Sequence, residues 1–115
     1  MSSLSVRIRY EALRSLAFGG ISGTYAGVGT AFANPVRILK ITNKTDADLL
    51  ISFDGVIDRD IIPANTVEVL DYGSNKADTG GQLDQSIGDR VYVKQASGAA
   101  TGGSVYVTVI YASAN

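Results

Sequence analysis

The 115-residue sequence contains no cysteine, no histidine and no tryptophan. Without cysteine the chain has neither a disulfide framework nor a thiolate nucleophile. Without histidine it lacks the commonest general base and transition-metal ligand. No apolar run approaches the length of a membrane-spanning helix, and residues 1–10 contain no signal-peptide core. We therefore expect a soluble, non-enzymatic protein made in the cytoplasm, with no catalytic, cofactor-binding or metal-binding residues.

The residues that are present favour pleated, turn-rich structure. Valine, isoleucine, threonine and tyrosine are frequent, and 13 glycines punctuate the chain. Seven or eight short apolar runs, separated by turn residues, predict an all-β fold with almost no helix. We expect an antiparallel β-sandwich or a jelly-roll-like barrel. The length fits one domain, which we place at residues 14–115 after an N-terminal arm at residues 1–13.

The stretch 34–72 organises the prediction. Strand-like runs occupy residues 36–41 and 49–53, and Asp54-Gly55 indicates a hairpin after the second run. Further strands are predicted at residues 56–62 and 66–70, where Val67 and Val69 fall on one face.

The two ends of the sequence also read as strands. Residues 6–10 alternate, which fits either an edge strand with its arginines in water or a disordered arm. A strand is predicted at residues 14–18, and a hairpin joins residues 90–95 to 104–112. In the last strand Val105, Val107, Val109 and Tyr111 share one face, and Tyr106, Thr108 and Ile110 share the other. Both faces are apolar enough to be covered, either inside the protein or by another subunit.

Charge divides sharply along the chain. Residues 1–45 hold six basic residues and one acidic residue, a net +5, whereas residues 46–115 hold four basic and ten acidic residues, a net −6. Such a chain can present a basic pole to an anionic partner or pair its poles between copies of itself. Alternatively, strands from the two halves interleave and the charges mix.

The sequence carries only weak signals for metal binding or nucleic-acid binding. Asp54, Asp58 and Asp60 could supply oxygen ligands to calcium, but their spacing matches no helix-loop-helix calcium loop, and turn carboxylates explain them better. Arg37, Lys40 and Lys44 alternate with apolar residues as on a nucleic-acid-binding sheet, yet stacking aromatics are sparse there. The irregular segment 73–89 is the kind of long loop that is usually functional or mobile.

Three segments, SLAFGGISGTYAGVGTAFANPVRILKITNKTDADLLISFDG at 15–55, IPANTVEVLDYGSN at 62–75 and VYVKQASGAATGGSVYVTVIYA at 91–112, carry a resemblance. The chain resembles small virion structural proteins of tailed bacteriophages over nearly its whole length after residue 13. The resemblance implies an all-β subunit that assembles in copies at the head–tail connector, neck or tail, or on the capsid surface. It brings no catalytic residues.

We therefore expect a virion protein that forms a ring or lattice around the neck or tail, with a capsid decoration protein as the nearest alternative. A glycan-binding module is the alternative of another class. The expected partners are copies of the same chain and other virion proteins, such as portal, neck, tail or capsid proteins, with no membrane, nucleic acid or small-molecule substrate. The candidate interface residues are Arg7, Arg9, Tyr72, Lys76, Leu83, Tyr92, Tyr106 and Ile110.

Overall fold

The computed structural model describes residues 6–72 and 86–114. It confirms an all-β chain, in which the described residues form nine strands and one 3-10 turn at Phe18–Gly20. The strands are β1 (Val6–Tyr10), β2 (Arg14–Ala17), β3 (Ala26–Gly27), β4 (Ile38–Asn43), β5 (Leu49–Ser52), β6 (Asp60–Ile62), β7 (Thr66–Asp71), β8 (Tyr92–Gln95) and β9 (Ser104–Ala114).

The strands form two antiparallel sheets that pack as a sandwich. The five-stranded sheet has the order β1-β9-β4-β7, with β2 also paired to β9. The four-stranded sheet has the order β3-β8-β5-β6. β9 is the central strand of the larger sheet, since it pairs with β4 on one edge and with both β1 and β2 on the other.

Alternating residues of both sheets build the core. Val105, Val107 and Val109 of β9 are fully buried, and Leu39 and Ile41 of β4 lie beside them. The four-stranded sheet adds side chains such as those of Leu49, Ile51 and Val93. Each large aliphatic side chain buried in this way contributes roughly 1.5–3 kcal/mol, so the inner faces hold the two layers together.

One end of the five-stranded sheet narrows to two strands. β4 pairs with β9 only as far as Ile110, whereas β1 pairs with β9 from Ile110 to Ala114. The structure thus realises the edge-strand alternative for residues 6–10. The molecule measures 56 × 26 × 22 Å along its principal axes. We call the β1 and β9 segment beyond Ile110 the ribbon.

The strand predicted at residues 56–62 is wrong in its first half, because only Asp60–Ile62 pairs as β6. Asp54 Oδ1 accepts hydrogen bonds from the backbone N–H groups of Val56 and Ile57, at 2.9 and 3.1 Å. These donors therefore close a turn instead of joining a ladder, and both apolar side chains are exposed.

Of the predicted loop 73–89, residues 73–85 lie outside the described residues, as do residues 1–5.

The described residues include no helix with the length and hydrophobicity needed to span a bilayer.

Candidate functional site

The outer face of the five-stranded sheet carries apolar side chains on β1, β9, β4 and β7. In β9, Tyr106, Thr108 and Ile110 point away from the buried valines and are half-buried. The register sets Ile110 opposite Ile38 of β4, and Thr108 opposite Lys40. The centre of the face is therefore a mixed strip in which apolar side chains flank one lysine.

The two edge strands extend this face with more exposed side chains. Ile8 and Tyr10 of β1 are 71% and 67% exposed, and Val67 and Val69 of β7 are 50% and 56% exposed. Pairing through β9 and β4 places all four on the same side of the sheet as Ile110. We call the following set the outer apolar face: Ile8, Tyr10, Ile38, Val67, Val69, Tyr106 and Ile110.

The side chains at the two edges of the outer apolar face are all at least half exposed, so none of the described residues covers these edges. Contiguous exposed apolar patches on soluble proteins mark interaction surfaces more often than chance. Isolated surface valines would need no explanation, but here seven apolar side chains lie on the same side of four strands, with Lys40, Thr42 and Thr108 among them. This geometry makes the face the strongest candidate for an interface.

β7 is unusual because its valines point outward while Glu68 points towards the core side, opposite Ile41. Burial, together with a hydrogen bond and charge repulsion from Asp60, raises the pKa of Glu68 to about 7. The hydrogen bond with Glu68 and the N–H of Ile61 hold the pKa of Asp60 below its usual value. The two carboxyl groups therefore share a proton where β6 meets β7.

The outer surface of the four-stranded sheet differs in chemistry, being aromatic and charged. Lys94 Nζ lies 3.4 Å from an Asp58 oxygen and 4.7 Å from the ring centroid of Tyr25. The Tyr25 hydroxyl donates a hydrogen bond to Asp58. Burial and this hydrogen bond raise the pKa of Tyr25, and the same bond lowers the pKa of Asp58. Lys94, Asp58 and Tyr25 therefore form a connected set of polar and cation–π contacts on the surface of this sheet.

A buried ion pair secures the segment that leads into β4. Arg14 Nη2 donates to Glu11 at 2.7 Å, and the same guanidinium donates to the carbonyl oxygens of Thr30 and Ala31. Burial acts to raise the pKa of Glu11, but hydrogen bonds from Asn34 and Arg14 outweigh it and the pKa is lowered. The pair therefore fastens the loop around residue 30 to the start of β2.

A shallow cleft of about 470 Å³ adjoins this ion pair. Its other lining residues are Ala12, Leu13, Gly29, Thr30, Ala31 and Ala33. Glu11 is the one carboxylate in the lining, and its oxygens already accept hydrogen bonds from Arg14, Asn34 and the N–H of Ala33. The cleft therefore offers no pair of free carboxylates for acid–base chemistry.

The described residues hold no group of three or more potential metal ligands. Asp54, considered above for calcium, accepts a hydrogen bond from Ser52 Oγ at 2.7 Å and two from backbone amides. These hydrogen bonds, with that of Ser52 the largest contributor, lower the pKa of Asp54 to about 2. Its carboxylate is thus engaged in shaping the loop between β5 and β6.

The structure separates the sequence-predicted interface residues. Tyr106 and Ile110 lie on the outer apolar face, and Arg9 lies in β1 on the opposite side of the same sheet. Tyr92 belongs to the four-stranded sheet, where the Arg90 guanidinium lies 5.4 Å from its ring centroid. Tyr72 packs partly against the core. Arg7 lies in β1, but its side chain is outside the description, and residues 76 and 83 lie outside the described residues.

Sequence reasoning missed several residues of the outer apolar face: Ile8, Tyr10, Ile38, Val67 and Val69. The alternation in residues 6–10 and 66–70 was a signal, because it puts apolar residues on one face of each strand. Alternation alone does not say whether that face meets the core. In β7 the apolar face points away from the core, because Glu68 lies on the inward side.

No protein-family model matches this chain, and no curated protein matches it. Among solved structures, a chain from the disulfide-linked pili of Bacillus endospore appendages is 12% identical, with a TM-score of 0.49, covering 96% of this chain and 90% of that chain. A chain of the cyanophage Pam1 capsid asymmetric unit is 21% identical, with a TM-score of 0.49, covering 95% of this chain and 85% of that chain. At these values neither likeness assigns a function to this protein.

Proposed function

We propose that this protein is a self-associating structural subunit of a bacteriophage virion and that its copies adhere through the outer apolar face. The observation that carries the proposal is the uncovered apolar surface of the five-stranded sheet, with Ile8 at 71% and Tyr10 at 67% exposure at one edge. The virion assignment is supported by the sequence resemblance at residues 15–55, 62–75 and 91–112.

The energetics of association favour a broad sheet face over a pocket. A specific interface of standard size buries roughly 1,600 Å² in total. Apolar area contributes roughly 25 cal/mol per Å² buried, and this gain must exceed an association cost of about 4–15 kcal/mol. A wide face with tyrosine and branched aliphatic side chains has the composition of such interfaces. In a ring or lattice each copy makes the contact more than once, which raises avidity.

Within the particle we propose a ring at the head–tail connector, neck or tail, with a capsid decoration protein as the alternative. Repeated head-to-tail contacts close into a ring when the rotation between copies permits it. Electron microscopy of the virion with this subunit labelled distinguishes the two positions, since a ring lies on the tail axis and a decoration protein covers the shell. A virion preparation without the subunit would overturn both.

Self-association is tested with charge substitutions at matched valines. Val69→Glu places a carboxylate on the outer apolar face, whereas Val56→Glu places one on the loop between β5 and β6, where the valine is 76% exposed. We expect the wild-type protein and Val56→Glu to form multimers in native mass spectrometry and sedimentation velocity. Val69→Glu should be monomeric with an unchanged Tm. A wild-type chain that stays monomeric at high concentration contradicts the proposal.

The four-stranded sheet supports a second candidate, a glycan-binding module. Tyr25 and Tyr92 expose aromatic rings beside Lys94, Asp58 and Arg90, and aromatic rings flanked by polar groups can contact sugars. Saturable binding on a glycan array that is lost in both Tyr25→Ala and Tyr92→Ala would favour this function.

We propose that the protein has no enzymatic activity, and turnover in a broad hydrolase screen would refute that.

A further inference from the structure

We infer that copies of this chain join edge to edge, with β1 of one copy adding beside β7 of the next and extending the five-stranded sheet. The inference rests on the proposed self-association and adds to the contact of the outer apolar face a second contact, made by the edge strands β1 and β7 that border this face. It names two different surfaces, so the contact is head to tail and each copy offers one donor edge and one acceptor edge.

Both strands lie at the ends of their sheet. β1 and β7 are the outermost strands in the order β1-β9-β4-β7, and an edge strand presents a row of unpaired backbone N–H and C=O groups. β1 is further exposed because it belongs to the ribbon, where β4 no longer accompanies β9. A two-stranded element is at best marginally stable in water, so a third strand from a neighbour would stabilise it.

The side chains of the two edges match face by face. On the outer side, Ile8 and Tyr10 of β1 would meet Val67 and Val69 of β7, and all four are at least half exposed. On the other side, Arg9 of β1 would meet Glu68 of β7. A continuous sheet therefore brings apolar residues together on one face and opposite charges together on the other, which are favourable cross-strand pairs.

Within the described part of the chain, no ion pair neutralises the charges at the two edges. Arg9 is exposed, and the ion pairs of the described residues include neither Arg9 nor Glu68 nor Asp60. Glu68 and Asp60 are hydrogen-bonded to each other, and burial together with this contact raises the pKa of Glu68. An arginine from a neighbour would supply the missing charge, and a guanidinium can donate to two carboxylate oxygens at once.

Strand direction allows the contact to repeat. Successive strands in the sheet order run antiparallel, so a second copy in the same orientation presents its β1 antiparallel to β7 of the first. β1 lies beside the end of β9, whereas β7 lies level with its middle. With Arg9 opposite Glu68, each copy is displaced along the strands by the four residues between Val107 and Tyr111, which is roughly 13 Å at a rise of about 3.3 Å per residue. Such a staggered contact can wind into a ring or a helical array.

Charge reversal tests the contact. Arg9→Glu damages only the β1 edge, and Glu68→Arg damages only the β7 edge. We expect each variant alone to associate about 100-fold more weakly than wild type, because like charges then face each other. Mixing the two variants should restore multimers, since every contact again joins opposite charges. Arg59→Glu, at an arginine whose side chain is 51% exposed, is the control and should assemble normally.

Because Glu68→Arg could impair folding, cross-linking provides a second test in a chain that has no cysteine of its own. Tyr10→Cys and Val67→Cys should each stay uncross-linked alone under mild oxidation, and their mixture should give a covalent dimer. The double variant should give a ladder of multimers. A disulfide dimer formed by either single variant alone would overturn the head-to-tail contact.

The outcomes separate this inference from the proposed function. If wild type forms multimers that are indifferent to Arg9→Glu, and the cysteine mixture gives no dimer, the edge contact is wrong and self-association stands. If wild type is monomeric at every concentration, the proposed function fails and the inference fails with it.

Discussion

Val107 lies at the centre of β9, fully buried between Ile41 of β4 and Arg14 of β2. Val107→Asp would bury a carboxylate among the core valines. The neighbouring Arg14 guanidinium is already held through Nε and Nη2 by Thr30, Glu11 and Ala31, and its Nη1 alone is unpaired. We expect the free energy of unfolding to fall by several kcal/mol, on the order of the whole stability of a domain this size.

Urea denaturation followed by circular dichroism measures this effect. The matched control is Thr108→Asp, one residue along, where the side chain is half-buried on the outer face and the carboxylate can reach water. A Val107→Asp variant that is soluble and unfolds cooperatively near the wild-type midpoint would show that the inner face of β9 is misassigned.

Strands β6 and β7 are linked by the hydrogen bond between the carboxyl groups of Asp60 and Glu68, which share a proton. The pKa of Glu68 is raised from 4.5 to about 7, so its contribution to stability is complete below pH 4.5 and is lost as the pH rises through 7. The pKa of Asp60 is lowered, so its contribution is constant over that window. Burial and the charge of Glu68 raise the pKa of Tyr72, so Tyr72 ionises well above this window.

The monomer's Tm should therefore fall between pH 5 and pH 8, and Glu68→Gln should remove most of that fall. Asp60→Asn should shift the fall to lower pH, because it removes the repulsion that holds the Glu68 proton. Differential scanning calorimetry at concentrations too low for association measures the effect. Histidine, the usual source of titration in this range, is absent. A flat profile in the wild-type protein would show that the pair does not share a proton.

The sequence predicts a strand well where local residue types decide its formation, and poorly where side-chain contacts with the backbone decide it. The strands predicted at residues 36–41, 49–53 and 104–112 correspond to β4, β5 and β9. They were predicted because β-branched residues repeat between turn formers, which is a local property. The strand predicted from residue 56 was wrong in its first half because Asp54 Oδ1 accepts hydrogen bonds from the backbone N–H groups of Val56 and Ile57. Side-chain competition for backbone donors is not visible in hydrophobic periodicity.

The candidate interface was less predictable than the fold. Tyr106 and Ile110 were identified because β9 is apolar on both faces, and a two-faced apolar strand must be covered twice. Val67 and Val69 were not identified, because their outward direction depends on where β7 pairs, which is a tertiary property. The ribbon arises from the different lengths of β4 and β9, and no local pattern encodes that difference.

At the scale of the whole molecule, stability and assembly are coupled through the ribbon. β1 has a single neighbouring strand in the isolated chain, whereas β4 lies between β9 and β7. Segments with few buried contacts open at low free-energy cost, and central strands open only near the global unfolding free energy. In dilute solution we therefore expect the amides of β1 to exchange with deuterium rapidly and those of β4 slowly.

Assembly should change only the first of these rates. When β1 gains β7 of a neighbour, its outward-facing amides become hydrogen-bonded, and their exchange should slow by about 100-fold if the contact contributes about 3 kcal/mol. Hydrogen–deuterium exchange with peptides covering residues 6–13 and 36–43, at concentrations below and above assembly, measures both strands at once. The non-assembling Val69→Glu variant should show no concentration dependence. Equal protection of β1 in monomer and multimer would mean that the ribbon is stable alone and needs no neighbour to complete the sheet.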